Sequence, residues 1–333
     1  MPKGNKQKIK LVCLIKYLME QTDEEHKVTM ADILGYLEGE DIKAERKSIY
    51  SDMETLRELG IDVVGEKIGK GFHYYVASRE FEVAELKLLV DAIQSSKFIT
   101  QKKSEILIKK LQRLVSVHEA KQLQHHLYMA GRSKTGNENI LYTVDTIHNA
   151  LNQNKQISFL YFQWNTKKQM QLKKNGNRYL VSPWGVCWED ENYYLIAYDE
   201  QKKEIRHYRV DKMLGCQIEK EKRNGKGLFK EINMAEYSRK NFGMFHGEEE
   251  TVSLLVHGSL IGVMIDRYGK DLMIVPAEDD WVRIHIKVAI SNQFFGWIFG
   301  LGKGVRIVGP KRVKDKMKEQ LSILSKLYED PEI

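Results

Sequence analysis

Cysteine is scarce in this chain. Cys13, Cys187 and Cys216 are three in number, far apart and without a C-x-x-C pair, which argues against a disulfide framework and a structural zinc site. Long hydrophobic runs are missing too. No stretch approaches the ~20 apolar residues of a membrane span, and the opening MPKGNKQKIK lacks the apolar core of a secretion signal. The expectation is a soluble, cytoplasmic protein that makes no membrane contact. Catalytic signatures are absent as well. Gly300, Gly302 and Gly304 precede a strand pattern instead of following one, and GRSKTG lacks the glycine spacing of a P-loop. HGEEE from His246 is not a zinc-protease helix, and His125-His126 has no carboxylate or cysteine partners at ligand spacing. No enzyme activity, cofactor or metal is therefore expected.

What the chain does have is length and basic charge. At 333 residues and 42% hydrophobic content it can bury more than one core, with two or three domains expected at roughly 100 to 200 residues each. A net charge of +7 points to an anionic partner. The charge is unevenly placed: residues 1–78 hold 12 Lys+Arg against 14 Asp+Glu, whereas residues 97–135 hold 9 against 2. That second run is either a solvated helix surface or a flank that neutralises phosphates.

Residues 45–56, ERKSIYSDMETL, read as a helix with one dry face and one free face. At helical spacing Ile49, Asp52, Met53 and Leu56 share one side, and Lys47, Tyr50, Ser51 and Glu54 the other. Two helices precede it. One covers Lys8–Glu20, and the next is opened by Thr29 with Asp32 three residues on, a capping-box pattern. The third, about Lys43–Leu59, should stop at Gly60. Two short strands, Ile61–Val64 and Phe72–Val76, then flank a glycine-bearing loop. Three helices and a hairpin make a winged helix-turn-helix, in which the third helix enters the major groove and the hairpin grips the backbone. Arg46, Lys47, Ser48, Tyr50 and Ser51 are the candidate groove contacts, with Lys67 and Lys70 on the hairpin.

Helical spacing over Glu82–Phe98 and Ser104–Val117 suggests a connector that could hold a second copy of the chain. The turn-rich GRSKTGNEN, Gly131–Asn139, marks the next boundary. A helix at Val144–Leu151 leads into strands at ISFLYFQW, RYLVSPWGVCW, NYYLIAYD and IRHYRV, the pattern of a small antiparallel barrel or curled sheet. From Thr251 the order strand, helix, two strands, helix, strand, helix fits an α+β unit of ferredoxin-like type, with Pro310 in the first turn of the last helix. The fold class is thus α+β and multidomain: residues 1–78 a winged helix, 79–138 a helical connector, 139–222 a β-barrel and 223–333 a C-terminal α+β domain.

This order and its residues resemble the WYL-domain transcription regulators of bacteria over nearly the whole chain. The namesake tripeptide stands here as Tyr193-Tyr194-Leu195, within SPWGVCWEDENYYLIAYD and ahead of RHYRVDKM. ERKSIYSDMETL resembles the family's R-T-I-x-R-D-x-x-x-L helix, with Arg46, Ile49 and Asp52 in register, Ser48 for threonine and Ser51 for arginine. FFGWIFGLGKGVRIVGP resembles the extension domain that follows the WYL unit. The resemblance implies a homodimer that binds an operator in double-stranded DNA, with an Sm-like (SH3-like) WYL barrel sensing a nucleotide or a single-stranded nucleic acid.

Within the expected barrel, Arg206, His207, Tyr208 and Arg209 share one strand, so alternation sends Arg206 and Tyr208 to one face and His207 and Arg209 to the other. Guanidinium forks grip phosphate and a tyrosine ring stacks on a base, which suits a nucleotide or oligonucleotide effector. Tyr161, Ser182 and Tyr193 are weaker candidates from neighbouring strands. Equally open is a structural reading, in which the aromatics fill the barrel and the arginines pair with Asp199, Glu204 or Asp211. The functional alternative to a regulator is an accessory module that binds single-stranded nucleic acid or regulates a partner without promoter specificity.

Overall fold

The structure, a computed structural model, describes residues 3–123, 134–189, 191–229, 237, 240–244 and 247–329, with side chains from residue 8 onward. His125, His126, His246 and the segment Gly131–Ser133 lie outside the described residues. The chain forms two compact units, Met1–Gly136 and Asn137–Ile333.

In the first unit, helices α1 (Lys3–Gln21), α2 (Met30–Gly39) and α3 (Arg46–Glu58) pack around Leu14, Leu18, Ile33, Leu37, Ile49, Met53 and Leu56, all essentially inaccessible to solvent. Burial of each such side chain is worth about 1.5–3 kcal/mol. The capping box at α2 forms as expected: Thr29 Oγ1 accepts from the Asp32 amide, and the Asp32 carboxylate accepts from the Thr29 amide at 2.8 Å. Gly60, with φ of +86°, takes the left-handed position after α3, and Ile61 N–H returns to Leu56 O at 2.9 Å. Strands β2 (Val63–Ile68) and β3 (Gly71–Val76) form the hairpin. Its turn is shorter than the sequence suggests, because pairing continues to Ile68↔Gly71 and leaves Gly69 and Lys70 at the tip. A two-residue turn with positive φ at Gly69 (+60°) matches the twist of the strands it joins. Lys67 therefore lies in β2, not in a loop. A two-residue strand, β1 (Val28–Thr29), completes the sheet in the order β1-β3-β2.

The connector is α4 (Val83–Ser95), α5 (Gln101–Leu111) and α6 (Val117–Gln122). The single helix expected over Ser104–Val117 breaks after Leu111, and α6 starts anew under a Ser116/Glu119 capping box. Lys134 closes the end of α4 by donating to the Ile93 and Ser96 carbonyls and to Ser104 Oγ, a cation at a helix C-terminus where the carbonyls lack partners. A buried polar seam joins the connector to the first three helices. Asp23 accepts from the Ser116 hydroxyl, while Arg79 donates to Thr22 O at 2.6 Å and lies 3.6 Å from Glu119.

The second unit opens with α7 (Ile140–Gln153), which lays Ile140, Ile147 and Ala150 on a curled antiparallel sheet. Its strands are β4 (Lys155–Trp164), β5 (Met170–Leu172), β6 (Tyr179–Glu189), β7 (Asn192–Asp199), β8 (Glu204–Arg209) and β9 (Met213–Lys222). They run in the order β5-β4-β6-β7-β8, with β9 on β4. Beyond a short helix, α8 (Lys226–Phe229), four strands follow: β10 (Glu249–His257), β11 (Ile274–Pro276), β12 (Trp281–Ala289) and β13 (Val305–Gly309). They form a sheet in the order β11-β12-β10-β13. Helices α9 (Ile261–Tyr268) and α10 (Asn292–Gly300) contribute Met264, Phe294, Phe295 and Ile298 to the core beneath it. The last helix, α11 (Lys311–Glu329), begins one residue after Pro310, whose carbonyl receives the Val313 and Lys314 amides. Pro310 thus precedes the first turn instead of lying in it. Among the described residues, no helix is long and apolar enough to cross a membrane.

Candidate functional site

Two regions gather the candidate residues, one in each unit. On α3 the inner face is closed by Ile49, Met53 and Leu56, and Asp52 beside them is matched by Lys10 of α1, Nζ to Oδ2 2.7 Å. An acid on an apolar face is explained by that buried ammonium, 4% exposed. Lys10 also donates to Ser48 Oγ, so Ser48 sits at the inner edge of the helix and not on its crown. Arg46, Lys47, Tyr50 and Ser51 remain exposed. Tyr50 leans toward Tyr74 of β3, ring centroids 6.3 Å apart. Arg57, one turn beyond Glu54, donates through Nε to Val63 O at 2.6 Å and so fixes the hairpin against the end of α3. Between helix and hairpin lies an open groove of about 410 Å³ lined by Tyr50, Glu54, Arg57, Phe72 and Tyr74. Lys67 and Lys70 are both exposed on the hairpin. Phe72, 54% exposed, presents a ring beside them. Together these groups offer cations, hydrogen-bond donors and rings to an anionic polymer.

In the second unit, a cavity of about 630 Å³ opens beside β8, lined by Tyr161, Lys173, Tyr179, Tyr194, Glu204, Arg206, His207, Tyr208, Arg209, Lys212 and Met244. Alternation along β8 determines the split. Tyr208 turns inward, its ring edge-on to Phe159, Tyr161 and Tyr179 at 5.3–5.7 Å, and its hydroxyl donates to Asp199 Oδ2 at 2.6 Å. Burial and the Asp199 carboxylate push its pKa upward. Burial likewise pushes Tyr161 up to about 12, so both phenols stay neutral and act as rings and hydrogen-bond groups. Tyr161 Oη accepts from the Arg209 amide at 3.1 Å, tying β4 to β8.

The arginines divide in the same way. Arg209 is engaged through two of its nitrogens: Nε and Nη2 contact the two Asp211 oxygens at 3.0 and 2.9 Å, and Nη2 also reaches Asn192 Oδ1 at 2.7 Å. Burial alone would lower its pKa, but the Asp211 carboxylate outweighs burial and raises it. Arg206 is freer, its side chain 42% exposed with Glu204 3.4 Å away. His207 is held on the other face, its ring nitrogens against Met244 O and, at 3.0 Å, Tyr237 Oη. With Nδ1–H donating to the carbonyl, Nε2 accepts from the phenol.

Two weaker candidates fall outside the cavity. Ser182 is inaccessible and bonds Glu200 Oε1 at 2.6 Å while accepting from the Asn224 amide at 2.8 Å. Tyr193 packs edge-on to Trp188 at 4.7 Å, on the β6–β7 hairpin. Conversely, Lys173, Tyr179 and Lys212 line the cavity and are absent from the sequence-derived set. Burial and the neighbouring Arg209 lower the Lys212 pKa. Its place beside RHYRV was a faint signal; Lys173 and Tyr179, strands away, gave none.

The WYL domain family matches residues 142–218, which span α7 to β9, and the WCX domain family matches residues 248–323, which span β10 into α11. A WYL domain followed by a WCX domain supports the WYL-domain regulator family for this chain. Its 630 Å³ cavity lies between the strands of the WYL domain, with Met244 reaching in from beyond it. The chain is similar to an uncharacterised HTH-type transcriptional regulator, YobV, of Bacillus subtilis (strain 168), 21% identical over 296 residues that cover 85% of this chain and 90% of the relative. Among solved structures it is similar to the proteasome accessory factor B/C of Arthrobacter aurescens, 15% identical with a TM-score of 0.26. That match covers 98% of this chain but only 48% of the other, so the chain spans about half the length of that protein. A CRISPR Cas-related protein gives 14% identity, a TM-score of 0.35 and coverage of 98% and 81%. Overlaps this loose carry no information on the overall arrangement.

Proposed function

We propose that this chain is a DNA-binding transcription regulator that acts as a homodimer and answers to a nucleotide-like effector in its WYL domain. The observation that carries the reading is the free crown of α3: Arg46, Lys47, Tyr50 and Ser51 are exposed while the opposite face is closed by the core. With the hairpin behind it, this arrangement supports a winged helix-turn-helix over residues 1–78. The HTH-type regulator of B. subtilis, aligned over most of both chains, supports the same task. Leu88, Leu89 and Ile106, all exposed on helices α4 and α5 of the connector at residues 79–138, support a second copy as the partner there.

The curled sheet of residues 139–222 supports an Sm-like sensor barrel. Arg206 and Lys173 at the mouth of its cavity suit a phosphate, and the tyrosines behind them suit a base. The strand order β11-β12-β10-β13 supports a ferredoxin-like unit within residues 223–333. For an effector to alter DNA affinity it must bind two arrangements of the dimer unequally, with couplings of about 1–3 kcal/mol.

The test is nuclease footprinting of the purified protein on the DNA upstream of its own coding sequence, with and without nucleotides and short oligonucleotides. A protected, two-fold-related site lost in Lys47→Ala and Tyr50→Ala is the expected result. Tight binding of single strands with no protected duplex would instead support the accessory-module reading.

A further inference from the structure

The sheet of the WCX domain has two unlike faces. Alternation on β10, β12 and β13 buries Val252, Leu254, Val256, Ile284, Ile286, Val305 and Ile307 beneath the helices. On the other face Arg283, His285 and Arg306 are exposed and Ser253 and Leu255 half-buried. Register places Leu255 opposite Arg283 on one side and Arg306 on the other, with Val275 beyond Arg283. A row therefore crosses all four strands with a guanidinium on each side of an apolar centre, the two arginines separated by two strand spacings, roughly 10 Å.

That row floors a cleft of about 810 Å³, walled by Trp281, Lys303, Glu278 and Asp279. Arg283, Lys303 and Arg306 are exposed and, among the described residues, no carboxylate lies within ion-pair distance of any of them. Among the described residues, three like charges thus line one cleft with no carboxylate close enough to pair with them. Trp281 is half-buried and held at its edge by His257, centroids 5.3 Å apart. The loop bearing Glu278 and Asp279 is fixed at both ends, Ala277 N–H to Trp281 O at 2.8 Å and Gly258 N–H to Asp280 O at 2.7 Å. A Cβ at Gly258 would stand 2.5 Å from the Asp280 carboxylate, so the loop sits as close as a glycine permits.

A bare anion fits the arginines but not the two carboxylates. A cation fits the carboxylates but not the arginines. A ligand with a phosphate, a flat ring and amino or hydroxyl donors fits all of them. Four-stranded sheets read single-stranded nucleic acid on such an open face through aromatic rings and guanidinium planes, and carboxylates accept from the amino groups of bases. We propose that this cleft is a second ligand site, for a nucleoside phosphate, with the base against Trp281, its donors toward Glu278 and Asp279, and the phosphate on Arg283, Lys303 and Arg306.

The site lies on the WCX domain, and its argument uses neither the α3 surface nor the cavity beside β8. The experiment is calorimetric titration of the full chain with the ribonucleoside triphosphates, with a 5′-phosphorylated tetranucleotide, and with inorganic phosphate as control. With Arg206→Ala as the background, which takes the WYL cavity out of the titration, the expected result is saturable binding of a nucleotide or of the tetranucleotide, weakened at least tenfold when Arg283→Ala and Arg306→Ala are added together or when Trp281→Leu is added. Comparison of the two ligands identifies the source, a free nucleotide or a strand end. The proposal is overturned if no such ligand binds in the Arg206→Ala background, if inorganic phosphate competes at the same concentration, or if binding in that background is kept when Arg283→Ala and Arg306→Ala are added. Arg283 and Arg306 are exposed, so their loss leaves the circular dichroism and melting temperature unchanged and the comparison readable.

Discussion

Lys10 and Asp52, on α1 and α3, form an ion pair of 2.7 Å whose ammonium is almost wholly buried. Among the described residues, Asp52 Oδ2 has no other partner and no well-aligned hydrogen bond from the lysine, so charge does the compensating. The pair ties α3 to α1 on the side opposite its free face. Removing one member of a buried pair costs about 3–5 kcal/mol; because Asp52 is about one-fifth exposed, a value at or just below the bottom of that range is expected. Lys10→Met should lower the unfolding free energy of the first unit by roughly 2–3 kcal/mol, and Lys10→Met with Asp52→Leu should recover most of it. Chemical denaturation followed by circular dichroism checks both.

Lys47 is an exposed cation on the crown of α3 and would act on phosphate without reading sequence. Lys47→Ala should reduce the slope of log affinity against log salt by about 1, equally for every duplex tested. Tyr50→Ala should instead change the preference among duplexes. Anisotropy titrations over a range of salt concentrations separate the two effects.

Acid should unfold the second unit through Asp199. Burial would raise its pKa, but bonds from the Tyr208 hydroxyl and from the Lys202 and Gln201 amides outweigh burial and leave it below the ordinary value. A carboxylate held lower in the folded chain stabilises it above the unfolded-state value, near 4, and that contribution fades as pH falls through the folded value. Tyr208→Phe removes one donor, so the acid transition should move to higher pH. Tryptophan fluorescence between pH 2 and 6 measures it.

Arg206 and Arg209 should respond differently to the same change. Arg206→Ala removes an exposed side chain with one weak contact, so stability should change by no more than about 0.5 kcal/mol while effector binding in the WYL cavity falls. Arg209→Ala strips Asp211 of both its bonds and should lower the melting temperature. Thermal scans paired with ligand titrations of both variants test the division.

The helical skeleton was legible in the chain because its signals are local. Thr29 with Asp32 marks the start of α2 and Gly60 the stop of α3, and each acts within one turn. The strands of the WYL domain followed from alternation, except β5 and β9, three residues long in one case and mostly polar in the other. β1 escaped because two residues show no period. The break between α5 and α6 escaped because the apolar spacing continues across it. In the cavity, RHYRV put four neighbours together in sequence, which let Arg206–Arg209 be proposed as a group. What spacing cannot show is which arginine a carboxylate has already taken, or that Lys173 and Tyr179 converge on them from other strands. Asp52 on the inner face of α3 finds its countercharge in Lys10, 42 positions earlier. Long-range pairs of that kind leave no periodic trace.

The most direct measurement is the affinity of the full chain for labelled duplex from its own upstream region, against excess unrelated DNA, for the unaltered protein and for Lys47→Ala combined with Tyr50→Ala. The account predicts selective binding that falls by at least tenfold in the double variant while the fold is kept. Binding that shows no preference for that duplex, or a preference the double variant retains, would contradict it.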